Sequence, residues 1–325
     1  MKRYACLFVT TVLLLALWSS TGFGSLVDPT VADVVDQVSR ETYQHYLDDT
    51  LYTHTGDNRG LSGPEHDLAR DNIYAELGSF GLETLIDPID AAVTRVPPVG
   101  GNVVAAHYGT VRPDEIYVLG AHYDSVNNPG ADDNASGTAA VMEAARVLSQ
   151  YEFEATILFI AFDEEEIGLV GSRAWVEEHT TDDIQAMISL DMIAYNGSGS
   201  DQARIYGRQQ SEPLKDALAL AAALYGGLTA VDFGPLNASD HAPFEDAGFQ
   251  ACLLIEYDVW DNPHYHRQTD SVDTPGYIDY AYATDMLRSA VGYLATSAVL
   301  IPEPATLVLL ALGALMATGK RFRRP

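Results

Sequence analysis

Ala155-Thr156-Ile157-Leu158-Phe159-Ile160-Ala161-Phe162 is an almost wholly apolar run that stops at Asp163-Glu164-Glu165-Glu166, with Ile167-Gly168-Leu169-Val170-Gly171-Ser172 behind it. A short apolar run of this composition reads as a strand buried on both faces. Upstream, residues 102–107 and 116–122 read as strands, and 187–190 and 251–255 repeat the pattern of a short apolar strand ending in acids. Segments of helical spacing alternate with them, over residues 31–54, 64–80, 139–148 and 277–299. Pro64 and Glu65 open the second of these, and Gly78 and Gly81 bracket its end. The alternation predicts an α/β fold, with a mostly parallel central sheet and helices on both faces. One domain over residues 25–300 is expected, without internal repeats. In such sheets ligands bind beyond the carboxyl ends of the strands.

The candidate chemical groups all fall there. Four successive acids at a strand end repel one another unless a cation sits among them, although a solvated helix start is the plainer reading. In Gly120-Ala121-His122-Tyr123-Asp124-Ser125, His122 and Asp124 are two apart on extended backbone and point to one side. A metal-binding imidazole gives its second N–H to an acceptor, a supporting role that suits Asp124, and a structural hydrogen bond explains the pair equally well. Gly130-Ala131-Asp132-Asp133-Asn134-Ala135-Ser136-Gly137 leads into a helix that Asn134 or Ser136 can cap. Capping does not need two adjacent carboxylates; a metal-bridging ligand needs one. Asp191, in Leu190-Asp191-Met192, tips another strand, and Asn262-Pro263-His264-Tyr265-His266-Arg267-Gln268-Thr269-Asp270 offers two late histidines. Two imidazoles and three carboxylates suit two zinc ions sharing one carboxylate, with one carboxylate left over as a base.

In order and spacing these segments resemble metallopeptidase family 28, the co-catalytic zinc aminopeptidases, over roughly residues 60–295. The resemblance implies two zinc ions per chain and hydrolysis of N-terminal residues from peptides with a free N-terminus. It implies His122 as a ligand of one zinc, Asp133 as the bridge, Glu165 as general base and Glu166 as a ligand. Asp191 and His266 are then ligands of the other zinc, which leaves His122, Asp133 and Glu166 as a set. Ser239-Asp240-His241 matches a segment that lines the site in the family. The acidic run also allows Glu164 and Glu165 in place of Glu165 and Glu166, and His264 competes with His266. Where some members carry a tyrosine that steadies the intermediate, this chain has Leu236. The rival readings are a glutaminyl cyclase, a carboxypeptidase or a dipeptidase of the same fold, or an inactive surface or matrix binding protein.

The two ends differ from the body. Residues 1–24 run from Lys2 and Arg3 through an apolar stretch to Gly22 and Gly24, the order of a secretory signal peptide. The chain closes with Ile301-Pro302-Glu303-Pro304, an apolar stretch over 305–317, then Lys320, Arg321, Arg323 and Arg324. That closing arrangement resembles the PEP-CTERM sorting tail of Gram-negative bacteria, which implies recognition by sorting machinery in the membrane; a plain C-terminal anchor is the alternative. Residues 301–325 are therefore expected to be a sorting tail or anchor, and the protein to be exported to the cell surface or extracellular matrix.

The whole chain has 18 basic and 46 acidic residues. Six of the basic residues and one acidic residue lie in the two ends, so the body holds 12 against 45, a net of −33. Such a surface disfavours nucleic acid and anionic membranes as partners. Cys6 leaves with the signal peptide, and Cys252, in an apolar stretch, reads as a core residue, so no internal disulfide is expected.

Overall fold

A computed structural model describes residues 27–89 and 100–301. The expected signal peptide, and the sorting tail from Pro302 onward, lie outside the described residues. Eight strands form one sheet: β1 (Glu83–Asp87), β2 (Asn102–His107), β3 (Arg112–His122), β4 (Ala155–Phe162), β5 (Asp183–Leu190), β6 (Gln202–Tyr206), β7 (Thr229–Asp232) and β8 (Ala251–Glu256), in the order β1-β2-β4-β3-β5-β8-β6-β7. The centre, β4-β3-β5-β8, is parallel, as expected from its apolar strands. β2 runs antiparallel to β4, and β6 antiparallel to β8. The sheet is therefore parallel where both faces are covered and mixed toward its edges, where antiparallel pairing tolerates water.

Alternation along β4 divides the core. Ile157, Phe159 and Ala161 enter the larger apolar cluster, while Leu158, Ile160 and Phe162 enter a smaller one on the opposite face. The larger face is covered by α1 (Pro29–Val35), α2 (Arg40–His45), α3 (His66–Ser79), α4 (Gly137–Leu148), α6 (Glu212–Ala221) and α8 (Tyr280–Ser297). The smaller face is covered by α5 (Val170–Glu178) and α7 (His241–Asp246), through Trp175, Val176 and Phe244. Cys252 is a free, buried thiol in the larger cluster.

The helical spacing over 31–54 resolves into separate pieces. Ser39 breaks it, its hydroxyl accepting the N–H of Thr42 at 3.1 Å as the N-cap of α2. Six of these elements escaped the periodicity: the short strands β1, β6 and β7, of which β1 and β7 lie at the sheet edges, and the helices α5, α6 and α7.

Candidate metal centre

Parallel pairing brings the strand ends together. His122 closes β3 and pairs with Phe162, the last residue of β4, so the acidic run starts beside it. On the other side Gly120 pairs with Ser189 of β5, which places Asp191 just beyond the same edge. Asn134 then ties in the loop before α4. Its Oδ1 accepts the N–H of Gly137 at 2.9 Å and of Met192 at 3.3 Å, and its Nδ2 donates to Leu190 O at 2.8 Å. Asn134 thus satisfies the first N–H of α4, whose N-cap position, Ser136, makes no side-chain capping bond. The Ser136 hydroxyl instead donates to Asp132 O and accepts the N–H of Ile193. Asp270 holds the loop from the far side, accepting the N–H of Asp132 at 2.7 Å and of Asp133 at 3.2 Å.

The result is two adjoining donor groups. His122, Glu165 and Asp191 form one, and Asp133, Glu166 and His266 the other; within each, the donor atoms lie within 4.8 Å of one another. Asp133 stands between them, with Oδ1 3.4 Å from His122 Nε2 and Oδ2 3.0 Å from His266 Nε2. All five expected metal-binding residues converge. The expected partition between the two sets does not hold: Asp191 sits with His122, at 3.5 Å, and Glu166 with His266, at 3.4 Å. β3 and β5 are neighbours, so their tips meet, whereas Glu166 lies four residues beyond β4 and reaches the late loop.

The structure also separates the competing residues. His264 turns away, its Nδ1 2.9 Å from Thr269 Oγ1 and its ring 4.3 Å from that of Tyr277. Glu164 is buried outside both donor groups, and neither of its carboxylate oxygens has a hydrogen-bond partner. Asp124 does more than orient His122, whose Nδ1 lies 3.4 Å from its carboxylate and 3.2 Å from its carbonyl oxygen. The same carboxylate accepts the N–H of Glu165 at 3.1 Å and of Glu166 at 3.2 Å, so one side chain aligns three of the converging residues.

The donor set fits divalent zinc. It is built of imidazole nitrogen and carboxylate oxygen, and Glu166 Oε1 and Asp191 Oδ1 are buried without hydrogen-bond partners. Burial, reinforced by Asp240 and Asp191, pushes Glu165 well above the ordinary carboxylate range against the pull of His122. Burial, then Asp133, raises Glu166 to about 7. Burial also acts on Asp133, but bonds from His122 and His266 bring it down to about 2. So many enclosed acids call for a cation.

One residue escaped the sequence reading. The Tyr265 ring stacks on His266 at 3.8 Å and lines the cleft that Asp133, Glu165, Glu166 and Asp191 open into. Burial and these four carboxylates together push its phenol upward, so the hydroxyl keeps its proton and can donate. Its place between the two late histidines was the available signal. The other wall of the cleft is apolar, formed by Met192, Leu236, Leu253, Ile255 and Val259, with Trp260 at the rim.

Residues 102–291 match the family profile described as Peptidase family M28. A probable leucine aminopeptidase of Trichophyton verrucosum is 30% identical over 211 residues, covering 59% of this chain and 56% of that one. The chain thus spans about half the length of the curated relatives it matches. Among solved structures, the LapA aminopeptidase of Legionella pneumophila superposes with a TM-score of 0.70 at 21% identity, over 83% of this chain and 75% of that one. A glutaminyl cyclase of Porphyromonas gingivalis superposes with a TM-score of 0.66 at 22% identity, over 80% of this chain and 99% of that one. At these identities the two structures establish the fold.

Proposed function

The chain belongs to peptidase family M28, and on that premise we propose that it is an exported aminopeptidase holding two zinc ions and removing N-terminal residues from peptides. The observation that carries this reading is the pair of donor groups meeting at Asp133. His122, Asp191 and Asp133 would hold one zinc, and Asp133, Glu166 and His266 the other. Bound zinc supplies Lewis acidity that eases deprotonation of the attacking water and polarises the scissile carbonyl.

The chain's own residues do the rest. Glu165, its backbone pinned by Asp124, takes the proton of the attacking water and passes it to the leaving amine. Tyr265 donates its hydroxyl to the oxyanion that develops on the scissile carbonyl, the contribution that Leu236 cannot make. The wall of Met192, Leu236, Leu253, Ile255 and Val259 receives an apolar N-terminal side chain. The surrounding carboxylates attract the free ammonium, so an acetylated N-terminus loses that contact. Residues 1–24 direct export, and residues 301–325 retain the protein at the cell surface or matrix through membrane sorting machinery.

A glutaminyl cyclase is the second reading, favoured by the likeness to the Porphyromonas gingivalis structure. One experiment separates the two: zinc content of the purified protein, with turnover on a leucine anilide, its N-acetyl derivative and a peptide beginning with glutamine. About two zinc ions, chelator-sensitive hydrolysis of the free anilide only, and no cyclisation support the aminopeptidase. One zinc with cyclisation of the N-terminal glutamine overturns it.

A further inference from the structure

Arg59 has no part in the chemistry above, yet its side chain is completely buried. Burying a guanidinium is costly unless its donors are satisfied. Among the described residues no carboxylate lies within ion-pair distance of it; its partners are backbone carbonyls. Nε donates to Tyr123 O at 2.9 Å, Nη2 to Gly130 O at 2.7 Å, and Nη1 to Pro129 O and, at 3.4 Å, to Tyr52 O. Tyr123 lies between His122 and Asp124. Pro129 and Gly130 lead directly into Asp132 and Asp133. The planar fork therefore joins the two segments that carry His122 and the shared carboxylate through different nitrogens of one guanidinium.

The backbone beneath it is equally constrained. Arg59 O accepts the N–H of Ser125 at 3.3 Å. Gly60 packs so tightly that a Cβ there would meet Asn127 Oδ1 at 2.7 Å and Ser125 O at 2.9 Å. Gly130 has φ +56°, and a Cβ on it would meet Asp133 O at 2.4 Å and Arg59 Nη2 at 3.0 Å. The segment 59–60 and the turn 129–130 thus face each other across the guanidinium with no room to spare. Asp124, Asp133 and Asp270 surround the cation at longer range.

We propose that Arg59 is a positioning residue for the metal centre: by bridging Tyr123 O to Pro129 O and Gly130 O it sets the separation between His122 and Asp133. The inference rests on the reading of Asp133 as the carboxylate shared by two zinc ions. Lysine keeps the charge but presents its donors from a single point and cannot reach both segments. Methionine fills much of the volume and bonds to neither.

The test uses the purified chain with Arg59→Lys and Arg59→Met. Val291→Ala serves as a control, a core truncation in α8 within the larger apolar cluster. Three quantities are measured: zinc affinity by chelator competition, kcat and KM separately, and amide exchange at Asp132 and Asp133 in the metal-free protein. In both Arg59 variants zinc affinity should fall about 10- to 100-fold, the usual effect of removing an outer support of a metal site. kcat should fall more than KM, and the two amides should exchange faster. Val291→Ala, compared at an equal loss of Tm, should keep zinc affinity and exchange at those amides. Wild-type zinc affinity and exchange in Arg59→Lys with only a lower Tm overturns the proposal. So does equal zinc loss in Val291→Ala, or failure of both Arg59 variants to fold, since either makes Arg59 a residue of the fold alone. A wild-type chain that binds no zinc defeats the proposed function instead, while the exchange measurement still reports on the clamp.

Discussion

Replacing Glu165 by glutamine exchanges one oxygen for an amide nitrogen and keeps the length of the side chain. Its backbone stays held by Asp124 Oδ1 at 3.1 Å, and its carboxylate approaches His122 only to 3.9 Å, so little packing or hydrogen bonding is lost. The neutral amide also removes one charge facing Asp240 and Asp191. The variant should therefore fold and retain both zinc ions, with a Tm at or above that of the wild type. Glutamine cannot take the proton of the attacking water, so turnover should fall about 10²- to 10⁴-fold, roughly 3–5 kcal/mol on the barrier. Glu166→Gln should differ: its oxygen lies 3.4 Å from His266 in the second donor group, and an amide there weakens zinc binding as well as rate. Glu164→Gln, outside both groups, should change neither. Zinc stoichiometry, turnover on a leucine anilide and Tm for the three variants decide the matter. A dead, fully metallated Glu164→Gln beside a metal-poor Glu165→Gln would shift every role by one residue. Full activity in all three would leave the mechanism without a base.

Tyr265→Phe keeps the ring that stacks on His266 but loses the hydroxyl, so kcat should drop about 10²-fold with zinc content unchanged; an unchanged kcat reduces Tyr265 to packing. In the metal-free protein burial raises Asp132 to about 6 and Glu166 and Asp240 to about 7, so the folded state binds protons more tightly than the unfolded one. Stability is then greatest below these values and declines as pH rises through them. His266, raised to about 10 chiefly by its bonds to Asp133 and Glu166, adds a decline of the same sign above its ordinary value. Tm of the chelator-treated protein should fall between about pH 5 and 8, and a rising Tm refutes the charge-crowding account. The exported protein should begin near Ser25 and end near Pro304; mass spectrometry that finds the tail intact to Pro325 favours a simple anchor.

What the residues alone determined follows from local rules. The apolar run 155–162 had to be a buried strand, and acids at its end, with His122 and Asp191 at the tips of similar runs, pointed to one edge of a parallel sheet. Those features depend on side-chain period and on where strands stop, both written along the chain. The short strands β1, β6 and β7, the first and last of them at the sheet edges, were not legible, because short, partly exposed segments carry little apolar pattern.

The tertiary structure decided what depends on strand order. Because β5 lies beside β3, Asp191 joins His122, and Glu166 is left to His266; sequence order contains no such information. It also decided between histidines two residues apart, since only the fold of the 262–270 loop turns His266 toward Asp133 and His264 toward Tyr277. Arg59 and Tyr265 belong to the same class. Their significance lies in what surrounds them: carbonyls from three separate segments in one case, a stacked imidazole and four carboxylates in the other. Partners distant in sequence meet only when the sheet and its covering loops assemble, which is why local pattern found the donors and the packed fold determined how they are paired and held.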